Sequence, residues 1–448
     1  MGAAGPADPR ELLRSRSYVP LLVLAAILGI PISAAAYAFL ALVSAGQHWV
    51  YTAVPGALDL GPEPLWWPVV PLLVGGVLVG LVIRYLPGGG GHSPADGFHA
   101  GGAPEPRELP GVAAAAFVTL VAGVVLGPEA PLIALGGGLA VCAVRLGRRG
   151  APAQATQIIA SAGSFASIST LLGSPLLGAF LLMEAAGIGG ATLQLILLPG
   201  LLAAGIGSLI FIGLGSLTGL GTFSLALPDL PPFAHPDVFT FGWAIVIGAV
   251  AAVAGTGISR LARLVRPHIE RRILLLTPAA GLFVAGCAVL FAAVTGHSWS
   301  AVLFSGQDQL GPLIAEHGRD TVGALLLLLA CKGLAYSVSL AGFRGGPVFP
   351  AMFLGAAGGI ALSHLPGLPL VAGVAIGIGA MCTAMLRLPL TSVLLATLLL
   401  GADGLAVMPL VIVGVVVAHV VTARLAPPEG SAVTTPAAQT SPGRAPPR

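Results

Sequence analysis

Charge is what this sequence has least of. Only 8% of its 448 residues are Asp, Glu, Lys or Arg, and 56% are hydrophobic, whereas soluble domains carry roughly 25% charged residues. With a mean hydropathy of +0.97, that excludes an ordinary soluble domain and predicts an all-α polytopic membrane protein. Lysine is scarcer still: Lys332 is the one lysine among 20 basic residues, and the net charge of +3 gives no reason to expect nucleic acid as a partner. Cysteine is scarce as well. Cys142, Cys287, Cys331 and Cys382 lie in apolar segments without a Cys-x-x-Cys pair, which reads as small buried hydrophobes rather than a disulfide framework or metal site. The chain also lacks G-x-S-x-G and H-E-x-x-H, so an intramembrane enzyme is not expected. "GGGGH" has no Gly-Lys-Ser/Thr ending and is no phosphate loop. His92 and His99 beside Asp96 are a poor metal pattern, and neither metal nor cofactor is expected.

What the chain does have is apolar segments broken by Gly and Pro. Several, such as 111–126, 175–187 and 389–402, are too short to cross a hydrocarbon core, which takes about 20 helical residues. Broken helices at membrane depth survive only where protein or a wet cavity surrounds them, which points to a channel or transporter. The run at 19–45 exceeds a signal peptide's apolar region of about 7–15 residues and reads as an uncleaved first span. Arginines at the amino terminus, in "RLGRR" (145–149) and in "RLARLVRPHIERR" (260–272) place those stretches in the cytoplasm. The loops at 45–66 and 214–239 hold no Lys or Arg but contain Asp59, Glu63, Asp229 and Asp237, so they face outward. The expected organisation is a cytoplasmic segment (1–17), a first transmembrane half (18–214), an external linker (215–239), a second half (240–424) and a disordered tail (425–448) rich in Pro, Ser and Thr. No soluble domain is expected at either end.

The halves share a pattern. Gly127, Pro131 and Gly136 are spaced as Gly346, Pro350 and Gly355, and Pro-Leu segments ("SPLLGAFLLME" and "PLTSVLLATLLL") follow at similar distances. Matching broken helices are what inverted-repeat transporters show, with the substrate site where the halves meet. Within the first of these patterns, "GPEAP" (127–131), a carboxylate sits on the break. Glu129 and Glu184 are the two acids between residues 111 and 213, each costly at membrane depth. Helix amino termini at the breaks collect free N–H groups and the positive end of the macrodipole, so opposed termini make an anion site without a full charge. At such a terminus Glu129 acts as a tethered anion, occupying the site when ionised and leaving it when protonated. Glu184, near the end of its segment, reads equally as an interfacial residue.

"GPEAP" resembles the G-K/R-E-G-P motif of the CLC family of chloride channels and proton–chloride antiporters. "GGPVFP" (345–350) resembles that family's G-x-F-x-P motif, and "GGGHSP" (89–94) stands in place of its G-S-G-I-P motif. The resemblance spans about 18–424, without the regulatory nucleotide-binding pairs. It implies a fold of inverted repeats with broken and re-entrant helices, and a homodimer in a bacterial inner membrane with one ion path per subunit. Carried over by position, Glu129 matches the external gate and Glu184 the internal proton-transfer residue. Gly127, Ala130, Gly91, His92, Ser93, Gly346, Val348 and Phe349 match anion-contacting positions. The implied function is exchange of chloride or a similar anion for protons. A passive channel is the alternative, and a fluoride exporter a more distant one, because the first motif lacks that branch's Asn. Departures are plain: Pro128 replaces the usual Lys or Arg, Pro347 lies within the second motif, Gly91 aligns with the motif serine, and no tyrosine stands near Asp403 or Gly404, where the inner gate is expected. Lys332 and Arg344, before the second motif, either raise the local potential for anions or snorkel to an interface. Arg387 reads as a cytoplasmic anchor and Asp403 as a helix cap.

Overall fold

The computed structural model describes residues 15–426 apart from 17, 62, 99–101, 148–149, 188–189, 226, 228–230, 234 and 319–320. The amino-terminal segment and the tail lie almost wholly outside these residues, and His99 and Asp229 do so entirely. The described chain is helical. Its main helices are α1 (Tyr18–His48), α2 (Val69–Tyr85), α3 (Leu109–Val121), α4 (Glu129–Gly147), α5 (Ala153–Ser167), α6 (Pro175–Ala185), α7 (Gly190–Thr218) and α8 (Val238–Arg271). There follow α9 (Ile273–Thr295), α10 (Gln307–Ala315), α11 (Val322–Gly342), α12 (Val348–Ser363), α13 (Leu370–Leu386), α14 (Pro389–Leu399) and α15 (Gly404–Leu425). Among the described residues seven helices are long and apolar enough to cross a membrane, and α2, α3, α6, α12, α13 and α14 are apolar but shorter. At 1.5 Å per residue the 13-residue α3 covers only about 20 Å and must stop inside a bilayer.

Local chemistry fixes where helices begin. Asp237 and Thr240 form a reciprocal capping box at α8, the Thr240 amide donating to the Asp237 carboxylate at 2.7 Å. Ser174 accepts from the Leu176 amide at the start of α6, with Pro175 in the first turn, where its missing N–H costs nothing. α14 also begins with proline, but Leu388 before it supplies no side-chain cap.

Lipid gives helices little hydrophobic reason to associate, so close backbone contact must hold them together. The last glycine of each repeated pattern provides it. A Cβ on Gly136 would overlap the Gly163 carbonyl of α5, and one on Gly355 the Gly377 carbonyl of α13. Gly359 and Gly373 approach each other in the same way one turn further on. The two helices that start at the breaks, α4 and α12, are thus locked by equivalent contacts in the two halves.

Candidate functional site

The breaks between α3 and α4 and between α11 and α12 meet. Gly127 and Gly346 form an isolated antiparallel bridge, the Gly127 amide donating to the Gly346 carbonyl at 2.8 Å and the Gly346 amide to the Gly127 carbonyl at 2.6 Å. Corresponding residues of the two repeats therefore bond to each other, as expected where a pseudo-two-fold axis passes.

Glu129 begins α4, and its side chain crosses to the other half. Its Oε1 accepts from the Val348 amide at 2.5 Å, at the amino terminus of α12. The residue is wholly buried, and Oε2 has no hydrogen-bond partner. The carboxyl group lies between the bridging glycines: a Cβ on Gly346 would overlap its carbon and one on Gly127 its Oε2. Phe349, also buried, packs its ring edge on Gly127. Gly127, Glu129, Gly346, Val348 and Phe349 therefore form one cluster. Pro347 donates no N–H, but its carbonyl accepts from the phenol of buried Tyr336 at 2.8 Å, which fixes the turn ahead of Val348. Sequence reasoning missed Tyr336, whose hydroxyl does not stand out beside Lys332, Ser337 and Ser339 on the same helix.

Cavities approach the cluster. One, of about 630 Å³, is lined by Tyr51, Leu126, Pro128, Phe304 and Gly306. Another, of about 350 Å³, lies on the arginine-bearing face and reaches Pro347, with Asp96, Arg263 and Arg387 in its walls. Gly91 and His92 line a third, of about 360 Å³, which also touches Ala130, Pro131 and Arg344. Ser93 is buried with its Oγ unpartnered.

Glu184 stands apart from this cluster. Its carboxylate accepts from the Leu390 amide (2.9 Å), the Thr391 amide (2.7 Å) and the Thr391 hydroxyl (2.6 Å), supplying from α6 the cap that α14 lacks.

Three minor expectations need correction. Lys332 does not snorkel: it is wholly buried, and its ammonium donates to the carbonyls of Ala301 (2.9 Å), Val302 (3.0 Å) and Leu303 (3.0 Å), with the Phe353 ring centre 4.4 Å away. Asp403 precedes α15 but makes no cap; its carboxylate accepts from the Phe233 amide instead. It also sits at the end of α15 remote from Leu425, whose carbonyl accepts from Arg260 on the arginine-bearing face. Asp403 and Gly404 are therefore about 33 Å of helix away from that face, too far for the inner gate expected there. Asp96 pairs with Arg266, and no metal-binding cluster occurs among the described residues.

The family model described as voltage gated chloride channel matches residues 75–423, well over half of the chain. The chain belongs to the CLC family. That makes it an anion-transport protein, of a family of transporters and channels rather than enzymes. "Putative ion-transport protein YfeO" of Escherichia coli (strain SMS-3-5 / SECEC) is 29% identical over 367 residues, covering 80% of this chain and 82% of that protein. Among solved structures, a slow cyanobacterial Cl⁻/H⁺ antiporter superposes with a TM-score of 0.69 at 20% identity, covering 90% of this chain and 94% of the other. A CLC-type fluoride/proton antiporter gives 0.63 at 19%, covering 90% and 95%. These two share the CLC fold with this chain.

Proposed function

We propose that this CLC protein exchanges chloride, or a similar small monovalent anion, for protons across a bacterial inner membrane, with Glu129 as the gate. The observation that carries the reading is the Glu129 carboxylate on the Val348 amide, in the position where opposed helix termini would receive an anion. An ionised carboxylate there competes with the anion. A protonated one binds the amide less strongly and can move away, taking its proton with it. Alternation between these states links the two fluxes. Residues 18–214 and 240–424 are the two transmembrane halves, 215–239 the external linker, and the arginine-bearing face the cytoplasmic one. Each subunit of a homodimer carries its own path, and Glu184 passes protons toward the cytoplasm.

The passive channel remains a second reading because of one observation. Glu184 is fully engaged as a cap by Leu390 and Thr391, a role that needs no proton transfer. Fluoride is the third, suggested by the activity of one structural neighbour. The deciding experiment uses purified protein in liposomes with a chloride gradient and no proton gradient, following external pH. Proton movement driven by the chloride gradient, building a pH difference where there was none, supports exchange. Chloride flux without proton movement would establish the channel. No chloride flux, with flux restored by fluoride, would reassign the substrate.

A further inference from the structure

One buried charge plays no part in the proposed transport cycle. Lys332, the chain's single lysine, sits wholly buried on α11. The ion pairs among the described residues are Arg107–Glu105, Arg266–Asp96 and Arg266–Glu270; none includes Lys332. A buried ammonium without a carboxylate is costly unless its hydrogen bonds are filled. Here backbone fills them. The carbonyls of Ala301, Val302 and Leu303 accept at 2.9, 3.0 and 3.0 Å, and that of Phe304 lies at 3.5 Å. The ring of Phe353, on α12, closes the cage with its centre 4.4 Å from the ammonium.

Four successive carbonyls converging on one point repel one another unless a donor stands between them. The turn's own amides point elsewhere: Val302 and Leu303 donate back to the Trp299 carbonyl, and Phe304 donates to the Gly123 carbonyl at 2.9 Å. Phe304 also holds φ at +58°, in the left-handed region that a non-glycine residue keeps only where its surroundings fix it. What the turn carries bears on transport. The Phe304 amide bond crosses from the second half to the first, four residues before the bridging Gly127. The Phe304 ring meets Tyr51 edge-on at 5.0 Å, and Tyr51 donates to the Ala122 carbonyl at 2.7 Å. Both rings line the 630 Å³ cavity with Leu126 and with Pro128, which adjoins Glu129. We propose that Lys332 is a positioning residue for the anion entrance: its ammonium pins the 301–304 turn and so sets the Phe304 ring as a wall that limits the size of anion reaching Glu129. Lysine suits the task, because a compact charge with three rotatable donors matches converging carbonyls better than a planar guanidinium fork would. The inference rests on anion transport by this chain and holds for exchange and passive flow alike.

The test sets anion size against the turn. Liposomes bearing the purified full-length protein are placed in potassium chloride or in potassium methanesulfonate, whose anion is bulkier, with potassium and proton ionophores carrying the compensating charge. Swelling, followed by light scattering, gives the flux of each anion. Lys332→Met keeps most of the side-chain length and removes the donors. It should raise the methanesulfonate-to-chloride flux ratio about tenfold, the scale of coupling between residues in one contact network. Phe304→Ala should raise the ratio as much, and adding Lys332→Met to Phe304→Ala should raise it no further. A lysine that merely stabilises the fold would lower the melting temperature in both backgrounds and leave the ratio alone, which would overturn the proposal. Additive shifts would overturn it too, since Lys332 would then act by a route other than Phe304. If Lys332→Met does not elute as a single species, Phe353→Leu removes the ring beneath the ammonium and should shift the ratio in the same direction. An unchanged ratio there is equally fatal. A parent that passes neither anion would refute anion transport and this inference with it, whereas a transporting parent with an unresponsive ratio refutes the inference alone.

Discussion

Glu129 and Glu184 invite comparison because each leaves the first half of the chain to reach a helix amino terminus in the second. Glu184 fills its acceptors: two amides and a hydroxyl converge on it between 2.6 and 2.9 Å. Glu129 accepts from the Val348 amide through Oε1, and its second oxygen is buried and bare. A buried acceptor without a donor costs about 1–3 kcal/mol, so Glu129 occupies its seat under a standing penalty that Glu184 does not bear. A gate needs two states close in energy, and an under-satisfied carboxylate meets that requirement. A carboxylate satisfied three times over favours one state and suits a joint between the halves.

The largest effect should come from removing the charge that the proposed gate would move. Glu129→Gln keeps the shape of the side chain but can neither compete as an anion nor carry a proton. Proton movement in chloride-loaded liposomes should fall to background while chloride flux persists. A variant that still drives protons uphill would end the account of Glu129 as gate.

Gly346→Ala attacks the same seat from outside. Its Cβ would overlap the Glu129 carboxyl carbon, so either the carboxylate leaves or the bridge to Gly127 gives way. Overpacking of this kind costs about 1–3 kcal/mol, and thermal unfolding in detergent should fall accordingly. Chloride flux should become less dependent on external pH, since an expelled carboxylate no longer closes the path. An unchanged melting temperature with normal coupling would mean that the seat has slack the structure does not show.

How far the sequence anticipated this contrast depends on the range of the contacts. The apolar segments at 347–363 and 389–402 were legible as helices because their prolines and glycines mark ends, and α12 and α14 start within one residue of them. The nine-residue α10 was not legible; "QDQLGPLIA" mixes polar and apolar residues over too short a run to show a period. The repeat was visible as spacing, so Gly127 and Gly346 could be singled out. That they bond to each other, across 219 positions, was not written in either motif. Glu184 could be picked out by its cost in an apolar segment, but its partner Thr391 is 207 residues away and looks like any small helix residue. Tyr336 was hidden for the opposite reason, since a tyrosine in an apolar helix resembles ordinary core.

The other side of the comparison breaks at Glu184. Glu184→Ala strips the cap from α14 and leaves the Leu390 and Thr391 amides without their acceptor, which should cost about 0.5–2 kcal/mol in unfolding experiments, as the loss of a helix cap does. Glu184→Gln retains one acceptor oxygen and should lose less. The Gln variant also separates the two roles. If Glu184 is a proton station, proton flux falls in Gln while chloride flux continues. If it is a joint alone, Gln stays coupled, and only Ala shows a defect, in stability.

Tyr336→Phe is the smallest of these changes and the finest probe of how firmly the Glu129 seat is built. It removes one hydroxyl, leaving the ring in place and the Pro347 carbonyl without its 2.8 Å donor. Loss of a single neutral hydrogen bond costs about 0.5–1.5 kcal/mol, a modest fall in melting temperature. Its effect on transport should exceed that figure's implication for stability. Pro347 has no amide of its own to anchor the turn, and its carbonyl accepts the Ala351 amide only at 3.4 Å, so the phenol is the shorter of the two contacts that keep the Val348 N–H aimed at the carboxylate. With the hydroxyl gone, the amide is free to swing, the hold on Glu129 weakens, and the seat should empty at a higher external pH than in the parent. Chloride flux measured across a pH series would show this as a displaced midpoint with the maximal rate preserved. A lower melting temperature with an unmoved midpoint would assign Tyr336 to packing alone and make the Gly127–Gly346 bridge sufficient to orient the amide.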